Sequence, residues 1–281
     1  MKNKTWFITG CSSGFGRELT KAALAKGDKV VATARNRASL ANITNEPDTN
    51  LLVLELDVTQ PQQVRDALQS AINHFGRIDV LVNNAGYGLL GAIEEVSDAQ
   101  IRDQFEVNVF GALDVMRAAL PHFRANRSGH ILNISSVGGF VAFPGVGIYN
   151  ASKFALEALS ESLHKEVKPL GIHVTLIEPG PFRTDWAGRS SVIAADIDDY
   201  AETAGVRKKN IQGYSGTQDG DPYKAALAMI KVVESENPPM RLPLGPTALD
   251  SIRCKIHQVA KELNEWESVT INTSFDKTQN S

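Results

Sequence analysis

Cysteine is scarce in this chain of 281 residues, which contains two, Cys11 and Cys254. A small secreted protein held together by disulfides uses more cysteines than this, and two thiols suit a reducing compartment. An apolar signal-peptide core is also missing after Met1. No apolar run in the sequence approaches the roughly 18–20 residues that cross a bilayer. We therefore expect a cytoplasmic protein without a membrane span.

A strong excess of charge of one sign is missing as well. The 29 Lys and Arg residues oppose 32 Asp and Glu residues and leave a net charge of −3. A surface for nucleic acid is therefore not indicated. The six histidines are scattered along the sequence, without a pair at i, i+4 and without a neighbouring cysteine. We therefore expect no metal site.

The sequence does contain enough apolar residues for a large core, because 42% of them are hydrophobic and 22% are charged. Short apolar runs alternate with amphipathic stretches, which is typical of βαβ units around a parallel sheet. Strands that are covered on both faces read as continuous apolar runs. The predicted strands are Thr5–Thr9, Lys29–Ala34, Leu51–Leu56, Ile78–Val82, His130–Ile134 and Ile172–Ile177, with Arg241–Leu244 as a last edge strand.

Between these runs, apolar residues recur with the period of helices that bury one face. The three clearest stripes are Val64, Leu68, Ala71, Ile72 and Phe75, then Val109, Leu113, Met116, Leu120 and Phe123, then Leu156, Leu159, Leu163 and Val167. Helices on both faces of a parallel sheet make three layers, α/β/α. The expected fold class is therefore α/β: one doubly wound parallel sheet in a single Rossmann-like domain over residues 1–281.

Regular patterning stops after Glu178. Residues 182–221 mix glycine and polar residues with scattered aromatic ones, and a stretch of this length in a compact domain is usually a functional lid or a disordered loop. We interpret it as a substrate lid. A helix is predicted from Pro222 to Glu236, because proline suits the first helical position. Residues 246–281 are predicted to form a C-terminal helical extension with a loose polar end.

The first predicted strand leads directly into a glycine-rich turn, Thr9-Gly10-Cys11-Ser12-Ser13-Gly14-Phe15-Gly16. Glycines permit a tight turn and let backbone amides approach a pyrophosphate. The helix that follows adds the partial positive charge of its N-terminus. The candidate dinucleotide contacts in this turn are Gly10, Ser12, Ser13, Gly14, Phe15 and Gly16. Cys11 is interpreted as a packing residue.

The second predicted strand ends in Ala34-Arg35-Asn36-Arg37, with no Asp or Glu at the turn. In dinucleotide folds an acidic residue at this place binds the adenosine ribose hydroxyls. A guanidinium would instead pair with a 2′-phosphate, which an acidic side chain would repel. We therefore predict NADP(H) as the cofactor, with Arg35 at the phosphate. The alternative is that Arg35 and Arg37 are ordinary solvated surface charges.

Tyr149 and Lys153 are four residues apart on a predicted helix and so share one face. A tyrosine has a pKa near 10, and a neighbouring ammonium would lower that pKa and make the phenol a usable acid or base at neutral pH. Ser136 follows the strand His130–Ile134 and is expected at the same sheet edge, where its hydroxyl can donate to a carbonyl oxygen. A tyrosine–lysine pair alone is a common surface accident.

The order and spacing of several motifs give the sequence a family resemblance. Thr9–Gly16, Asn83-Asn84-Ala85-Gly86, Asn108, Ser136, Tyr149-x-x-x-Lys153 and Pro179-Gly180 together resemble the short-chain dehydrogenase/reductase family, over roughly residues 5–245. Each motif is weak alone, and together they are highly specific. The resemblance implies an oxidoreductase of the branch that acts on steroids, retinoids and other carbonyl compounds.

The resemblance also implies roles for individual residues. The catalytic set would be Asn108, Ser136, Tyr149 and Lys153, with Asn108 anchoring a water that relays a proton through Lys153. Further cofactor contacts would be Asp57, Val58, Asn84, Ala85, Gly86, Tyr149, Lys153, Pro179, Gly180 and Thr184. Spacing favours Ser136 over its neighbour Ser135. Two alternatives stay open, because Asp57 could instead stabilise a turn and Asn108 could be a buried amide satisfied by backbone.

The expected substrate is a hydrophobic ketone, aldehyde or secondary alcohol, because apolar side chains dominate the positions around the site. The expected pocket residues are Tyr87, Phe140, Val141, Phe143, Phe182 and Trp186. Arg183 and Arg189 are near enough in the sequence that a substrate with a carboxylate stays an alternative. The alternatives are a catalytically silent NADP(H)-binding regulatory protein and an epimerase or dehydratase on the same fold. By resemblance the chain would form a homodimer through the helices around 109–123 and 149–167, or a homotetramer.

Overall fold

The computed structural model of the protein describes residues 3–41, 43–44 and 48–275, so the last six residues of the expected C-terminal extension lie outside the described chain. The strands are β1 Thr5–Ile8, β2 Lys29–Ala34, β3 Leu51–Glu55, β4 Val80–Asn83, β5 Gly88–Leu90, β6 Gly129–Ile134, β7 Ile172–Pro179, β8 Ser191–Ile193 and β9 Arg241–Leu244. The α-helices are α1 Gly14–Ala25, α2 Pro61–Phe75, α3 Asp98–Phe105, α4 Ala112–Asn126, α5 Gly147–Val167, α6 Val206–Gly213, α7 Pro222–Glu234, α8 Pro246–Glu265 and α9 Glu267–Ile271.

Seven strands form one parallel sheet in the order β3-β2-β1-β4-β6-β7-β9. Every neighbouring pair in this sheet is parallel. The chain winds outward from β1 in both directions, which confirms the predicted doubly wound α/β fold. The short strands β5 and β8 pair in a separate parallel sheet that the sequence did not predict, because three residues are too few to show a period.

Alternate residues of the central strands point to opposite faces of the sheet and build two separate cores. Trp6 and Ile8 of β1 pack in the cluster that contains α1 and α7. Phe7, between them, packs on the other face with α2, α4 and α5. All three side chains are fully buried. The strands are covered on both faces, as their continuous apolar runs predict.

The segment that was interpreted as a lid is more regular than the sequence suggested. Within residues 182–221 the chain forms β8, a π-helical turn Ala201–Gly205 and helix α6. Lys208 of α6 is buried and pairs with Glu95 at 2.8 Å and also with Asp196. Helix α6 has little apolar sequence, since Ile211 is its one buried hydrophobic residue, and its helical period was therefore not visible.

Helix α8 begins against the body of the protein and then leaves it. Ala248 and Ile252 are buried, whereas every residue from Ile256 to the end of the helix is exposed. Its start is set by Gly245, whose φ of 86° lies in the left-handed region, followed by a proline at the first helical position. Among the residues that the structure describes, α8 and the other helices are each too short or too polar to span a membrane.

Candidate active site

A cavity of about 690 Å³ opens at one edge of the central sheet. Its walls come from the residues that directly follow six parallel strands, at the edge where their carboxyl ends meet. Open α/β sheets bind their ligands at this edge. The contributing segments are 10–15 after β1, 34–35 at the end of β2, 56–59 after β3, 84–87 after β4, 134–138 after β6 and 179–182 after β7.

The turn after β1 has the backbone that its glycines predict. Gly10 and Gly14 have φ values of 72° and 56°, which side chains with a Cβ rarely adopt. A Cβ on Gly16 would lie 2.5 Å from the Gly10 carbonyl oxygen, so the turn leaves no room for a side chain at this position. Gly16 is buried and does not line the cavity, whereas Gly10 and Gly14 do.

The N-terminus of α1 borders this cavity. Ser13 is the N-cap of α1, and its side chain makes no capping hydrogen bond. Ser12 and Ser13 line the cavity, and Phe15 packs edge-on against Phe182 with 5.2 Å between ring centroids. An uncapped helix N-terminus with unused amides suits a phosphate group.

Asn84 connects the end of β4 to the glycine turn. Its side-chain amide donates to the carbonyl oxygens of Thr9 and Gly10, both at 2.8 Å. The backbone amides of Asn84 and Ala85 donate to the Thr9 hydroxyl at 3.0 Å. Asn84, Ala85 and Gly86 all line the cavity. The Asn84 side chain therefore fixes the shape of the turn.

Arg35 lies at the opposite end of the cavity from the catalytic candidates, on the turn after β2. Its side chain is exposed and lines the cavity, and no ion pair is found for it in the described part of the chain. Arg37 is also exposed but does not line the cavity. Val58 and Asp57 line the same end, and Asp57 accepts hydrogen bonds from the backbone amide and hydroxyl of Thr59. The turn role considered for Asp57 is therefore present in the structure, beside its place in the cavity.

Tyr149, Lys153 and Ser136 come together at the middle of the cavity. Tyr149 and Lys153 lie on the first turns of α5, with the Lys153 ammonium 5.9 Å from the centre of the Tyr149 ring. Lys153 donates to the backbone carbonyl of Ile134 at 2.8 Å, which holds it at the end of β6. Ser136 lines the cavity, and its oxygen accepts from the Gly138 amide at 3.0 Å. A Cβ on Gly138 would lie 3.3 Å from the Ser136 oxygen and 3.4 Å from Tyr149, so this glycine lets the two side chains approach.

The structure separates the two neighbouring serines. The Ser135 hydroxyl lies on the side of Glu157, where it acts to lower the pKa of the Glu157 carboxyl against the larger raising effect of burial. Ser136 instead faces Tyr149, where its hydroxyl lowers the pKa of the phenol. Ser136, which the spacing of the motifs favours, is thus the serine beside Tyr149, and its catalytic role stays a prediction.

The pKa of Tyr149 differs from the sequence expectation. Burial raises the pKa of the phenol to about 12, against the smaller lowering by the Ser136 hydroxyl and the Trp186 indole. Burial also lowers the pKa of Lys153 to about 8, while the neighbouring Glu157 carboxylate acts to raise it. The expected lowering of the phenol pKa by Lys153 is not found, because Lys153 is not among the groups that shift this pKa and burial of the phenol dominates. In the protein alone, Tyr149 is held as a neutral proton donor.

A buried acid pair lies behind Lys153. Glu157 and Glu178 are both buried, and Arg241 approaches them with distances of 3.1 Å and 3.3 Å. Burial and the nearby Glu157 carboxylate raise the pKa of Glu178 to about 8. Arg241 also pairs with the more exposed Glu161 at 3.2 Å. The pair therefore keeps one proton near neutral pH and places a shared negative charge beside Lys153.

Asn108 is buried in a π-helical turn, Glu106–Gly111, between α3 and α4. Its side-chain oxygen accepts from the Tyr87 amide at 3.1 Å, and its amide donates to the Tyr87 carbonyl at 3.1 Å and to Ser152 at 3.3 Å. The alternative of a buried amide satisfied by backbone is therefore realised in part. Asn108 does not line the cavity, and a π-turn is the kind of local irregularity that often accompanies functional sites.

The remaining predicted cofactor contacts lie after β7. Pro179, Gly180 and Thr184 line the cavity, and the Gly180 amide donates to the Leu244 carbonyl at 3.0 Å. The Thr184 hydroxyl accepts from the Trp186 amide at 3.3 Å and so begins a short 3₁₀ turn. Thr184 also packs against Gly14, where a Cβ would lie 3.3 Å from the threonine.

The apolar lining of the cavity was predicted only in part. Of the expected residues, Tyr87, Phe143, Phe182 and Trp186 line the cavity. Phe140 and Val141, which were expected there, do not; the Phe140 ring instead lies beneath Arg241, at 5.9 Å. The sequence missed the residues that α6 and its flanks contribute, because helix α6 itself was missed. These residues are Arg207, Ile211, Tyr214 and Gln218.

The two arginines that were considered for a substrate carboxylate are engaged elsewhere. Arg183 donates to the backbone carbonyl of Gln218 and does not line the cavity. Arg189 lines the cavity but pairs with Asp185. Within the described ranges, no group of three or more His, Cys, Asp or Glu side chains could hold a metal ion. Cys11 is fully buried, and burial raises the pKa of its thiol to about 11.

Known proteins are similar to this chain in both sequence and fold. The family model described as short chain dehydrogenase matches residues 4–192. Oxidoreductase BOA17 of Botryotinia fuckeliana is 37% identical over 95% of this chain and 98% of its own length. The 3-ketodihydrosphingosine reductase of Bacteroides thetaiotaomicron is 36% identical over 88% of this chain and 89% of its own. The crystal structure of a short-chain dehydrogenase from Streptomyces avermitilis has 41% identity and a TM-score of 0.92, and covers 97% of this chain and 99% of its own.

Proposed function

The chain belongs to the short-chain dehydrogenase family, and from this membership and its site we propose that it is an NADP(H)-dependent oxidoreductase. It transfers a hydride between the nicotinamide and a hydrophobic ketone, aldehyde or secondary alcohol. The observation that carries the proposal is the meeting of Tyr149, Lys153 and Ser136 in the cavity that the glycine turn also lines. The acid–base groups and the dinucleotide cradle thus open into one space.

The residues present fit a dinucleotide. Gly10 and Gly14 hold a turn that a side chain would strain, and the N-terminus of α1 has an N-cap without a side-chain capping bond. Arg35 lies at the far end of the cavity without an ion pair among the described residues. A 2′-phosphate would give that guanidinium a bidentate partner, which supports NADP(H) over NAD(H).

The bound nicotinamide supplies or accepts the hydride, and the protein's own residues handle the proton. In the direction of reduction, the neutral Tyr149 phenol donates its proton to the oxygen that becomes the alcohol, and Ser136 holds that oxygen by a hydrogen bond. The Lys153 ammonium stabilises the phenolate that remains. Lys153 can then return a proton to Tyr149, because burial places the pKa of Lys153 at about 8. Asn108 fixes the backbone of Tyr87 beside them.

The walls beyond Tyr149 support a hydrophobic substrate. Trp186 packs against Tyr149 with 5.1 Å between ring centroids, and Leu90, Val146 and Ile211 belong to the same buried cluster. The similar protein from Bacteroides thetaiotaomicron is by name a reductase of a ketone, 3-ketodihydrosphingosine, which supports a carbonyl substrate with an apolar body.

We extend the proposal to the assembly and location of the protein. Leu113, Leu120 and Leu159 are half-buried on neighbouring faces of α4 and α5, around a surface groove of about 230 Å³. A second copy of the same face would cover them, which supports a homodimer. The scarcity of cysteine supports a cytoplasmic location.

The test of the proposed reaction is consumption of NADPH with a panel of hydrophobic ketones and aldehydes. We expect absorbance at the nicotinamide band to fall with at least one carbonyl compound, and one equivalent of alcohol to form per NADPH consumed. An epimerase or dehydratase would change the substrate without net consumption of NADPH, and a regulatory protein would bind NADPH without changing either compound. Either result contradicts the proposal.

A further inference from the structure

We propose that Arg207 forms an anion subsite at the substrate end of the cavity, so that the preferred substrates are carbonyl compounds with an apolar body and a carboxylate or similar anionic group. The inference rests on the proposed function and names the class of its substrate.

Arg207 is positioned by its helix and by two contacts. It lies on α6 and lines the cavity. Its guanidinium lies over the Phe143 ring, 5.1 Å from the centroid. Its Cβ packs beside Gly145, where an added Cβ would lie 3.2 Å away. Gly145 has a φ of 72°, so a side chain there would be strained as well as crowded. The backbone around Phe143 is thus shaped to admit Arg207.

The guanidinium has no carboxylate partner within the described residues. Its half-buried side chain forms none of the observed ion pairs, and its Nε atom is buried without a hydrogen-bond partner. A buried donor without a partner costs free energy, and a guanidinium costs more than a neutral group. The next residue, Lys208, has two acidic partners, and Arg189 has Asp185. Arg207 therefore differs from the cations around it.

Arg207 and Tyr149 are linked by one aromatic cluster. Tyr149, Phe143 and Tyr214 pack in the same cluster, and the Arg207 guanidinium lies over the Phe143 ring. Arg207 is also close enough to Tyr214 to lower the pKa of Tyr214, against the larger raising effect of burial. All four side chains line the same cavity. A substrate whose carbonyl reaches Tyr149 can therefore present an anionic group to Arg207 across this cluster.

The experiment compares two substrates that differ in one charge, 4-oxo-4-phenylbutanoate and its methyl ester. For the parent enzyme with NADPH, we expect kcat/KM to be higher for the acid. Arg207→Met keeps the apolar stem over Phe143 and removes the charge. It should lower kcat/KM for the acid by about 10- to 100-fold, mostly through KM, and leave the ester within about twofold. Arg207→Lys should restore part of the loss.

The matched control is Lys209→Met, which removes an exposed cation of the same helix that does not line the cavity and should change neither substrate. Equal losses of kcat/KM for acid and ester in Arg207→Met would mean that Arg207 has a structural role, and they would overturn the subsite. A parent enzyme whose kcat/KM is not higher for the acid would overturn it as well. Binding of 4-phenylbutanoate, measured by titration calorimetry, gives the same comparison without turnover. Equal Kd values for parent and Arg207→Met overturn the subsite, whereas failure to reduce any carbonyl compound overturns the proposed function.

Helix α8 has an apolar stripe that the rest of the chain covers only at its start. Apolar residues follow one another along it at alternating steps of three and four, in the order Leu249, Ile252, Ile256, Val259, Leu263 and Trp266, and of these Ile252 is buried against the body of the protein. Ile256, Leu263 and Trp266 are 53%, 62% and 63% exposed. Steps of three and four give the 3.5-residue period of a coiled-coil seam. From this seam we infer that α8 pairs with α8 of a second copy, in antiparallel orientation.

The charges beside the seam favour that partner and orientation. Lys255 and Glu262 directly precede Ile256 and Leu263, so they occupy equivalent flanking positions of successive heptads. In an antiparallel pair these positions face each other, and two-fold symmetry gives two Lys255–Glu262 contacts between the copies. In a parallel pair Glu262 would instead face the position of Glu267, which has the same sign and lies past the end of α8. Helix α8 has three acidic residues and three Lys or Arg, Asp250, Glu262 and Glu265 against Arg253, Lys255 and Lys261, so it lacks the basic excess of a helix that binds anionic membranes.

The test is charge reversal in the full chain, with self-association measured by sedimentation velocity. Lys255→Glu and Glu262→Lys should each weaken one association step by about tenfold, and the double variant Lys255→Glu/Glu262→Lys should restore it. Leu263→Gln should remove that step without changing the thermal midpoint by more than about 2 °C, because Leu263 is exposed. Single reversals without effect overturn the pairing. An assembly of unchanged mass in Leu263→Gln also overturns the pairing. Binding of the parent protein to vesicles of neutral or anionic lipid would not rescue it.

Discussion

Replacing Tyr149 by phenylalanine is expected to lower kcat by about 10²- to 10⁴-fold, the contribution typical of one general acid. Phenylalanine keeps the ring that packs against Trp186 at 5.1 Å, and it removes the hydroxyl that faces Ser136. The loss should therefore fall on the chemical step. The affinity for NADPH, followed by quenching of tryptophan fluorescence, should stay within about twofold, because Tyr149 contributes one contact among many along the cavity.

The matched control is Tyr214→Phe, a second phenol in the same cavity, whose pKa burial also raises. Tyr214 lies beyond Tyr149, and we expect its hydroxyl to change kcat by less than about threefold. Rates of hydride transfer in single turnovers separate chemistry from product release. A Tyr149→Phe variant that transfers hydride near the parent rate would contradict the assignment of Tyr149 as the acid. Equal losses in both variants would mean that the cavity had rearranged.

The pKa of Tyr149 shows which part of the site the sequence could not give. The i, i+4 spacing of Tyr149 and Lys153 predicted their shared face, and the structure places both in the cavity. The direction of the phenol shift depends on how completely the ring is buried, which is a property of Trp186 and the elements beyond it. Burial is set by the tertiary structure, so the local spacing predicted the neighbour and not the resulting pKa.

The fold was predictable where each element buries one continuous apolar run. The strands of the central sheet lie within one or two residues of their predicted starts, because strands that are covered on both faces carry apolar side chains on both faces. Strands β5 and β8 and helix α6 give no such signal, being three, three and eight residues long. Helix α6 is held by the Lys208–Glu95 contact, between residues that are far apart in the sequence. Arg207, which α6 positions, was missed for the same reason.

The motif residues were easier to predict than their individual contacts. Parallel strands end at one edge, so any motif that directly follows a strand is expected in the same crevice, and the glycine turn, Asn84, Ser136 and Gly180 all lie there. Their hydrogen-bond partners could not be read from spacing. The Asn84 side-chain amide donates hydrogen bonds to the carbonyls of Thr9 and Gly10. The Asn108 side-chain amide donates to the Tyr87 carbonyl and the Ser152 hydroxyl. Those partners depend on backbone that only the folded chain brings together.

The second large effect is expected on the KM for the cofactor, when Arg35 is replaced. In Arg35→Ala, we expect KM for NADPH to rise by about 10- to 100-fold, because a charge-assisted contact to phosphate contributes about 1.5–3 kcal/mol. KM for NADH, which has no 2′-phosphate, should change by less than about threefold. The guanidinium is exposed and has no ion pair in the described chain, so its removal leaves no buried charge behind and should not affect folding.

Arg37→Ala is the control, because Arg37 is also exposed at the same turn and does not line the cavity. If the turn attracted NADPH only through its general positive charge, the two variants would lose affinity alike, and the loss would disappear at high salt. A bidentate contact predicts that Arg35→Ala alone loses discrimination, and that Arg35→Lys recovers only part of it, since an ammonium cannot make two parallel bonds to phosphate. Equal effects of Arg35→Ala on NADPH and NADH would exclude Arg35 from the 2′-phosphate site, and the preference for NADPH would then need another cation at the same end of the cavity.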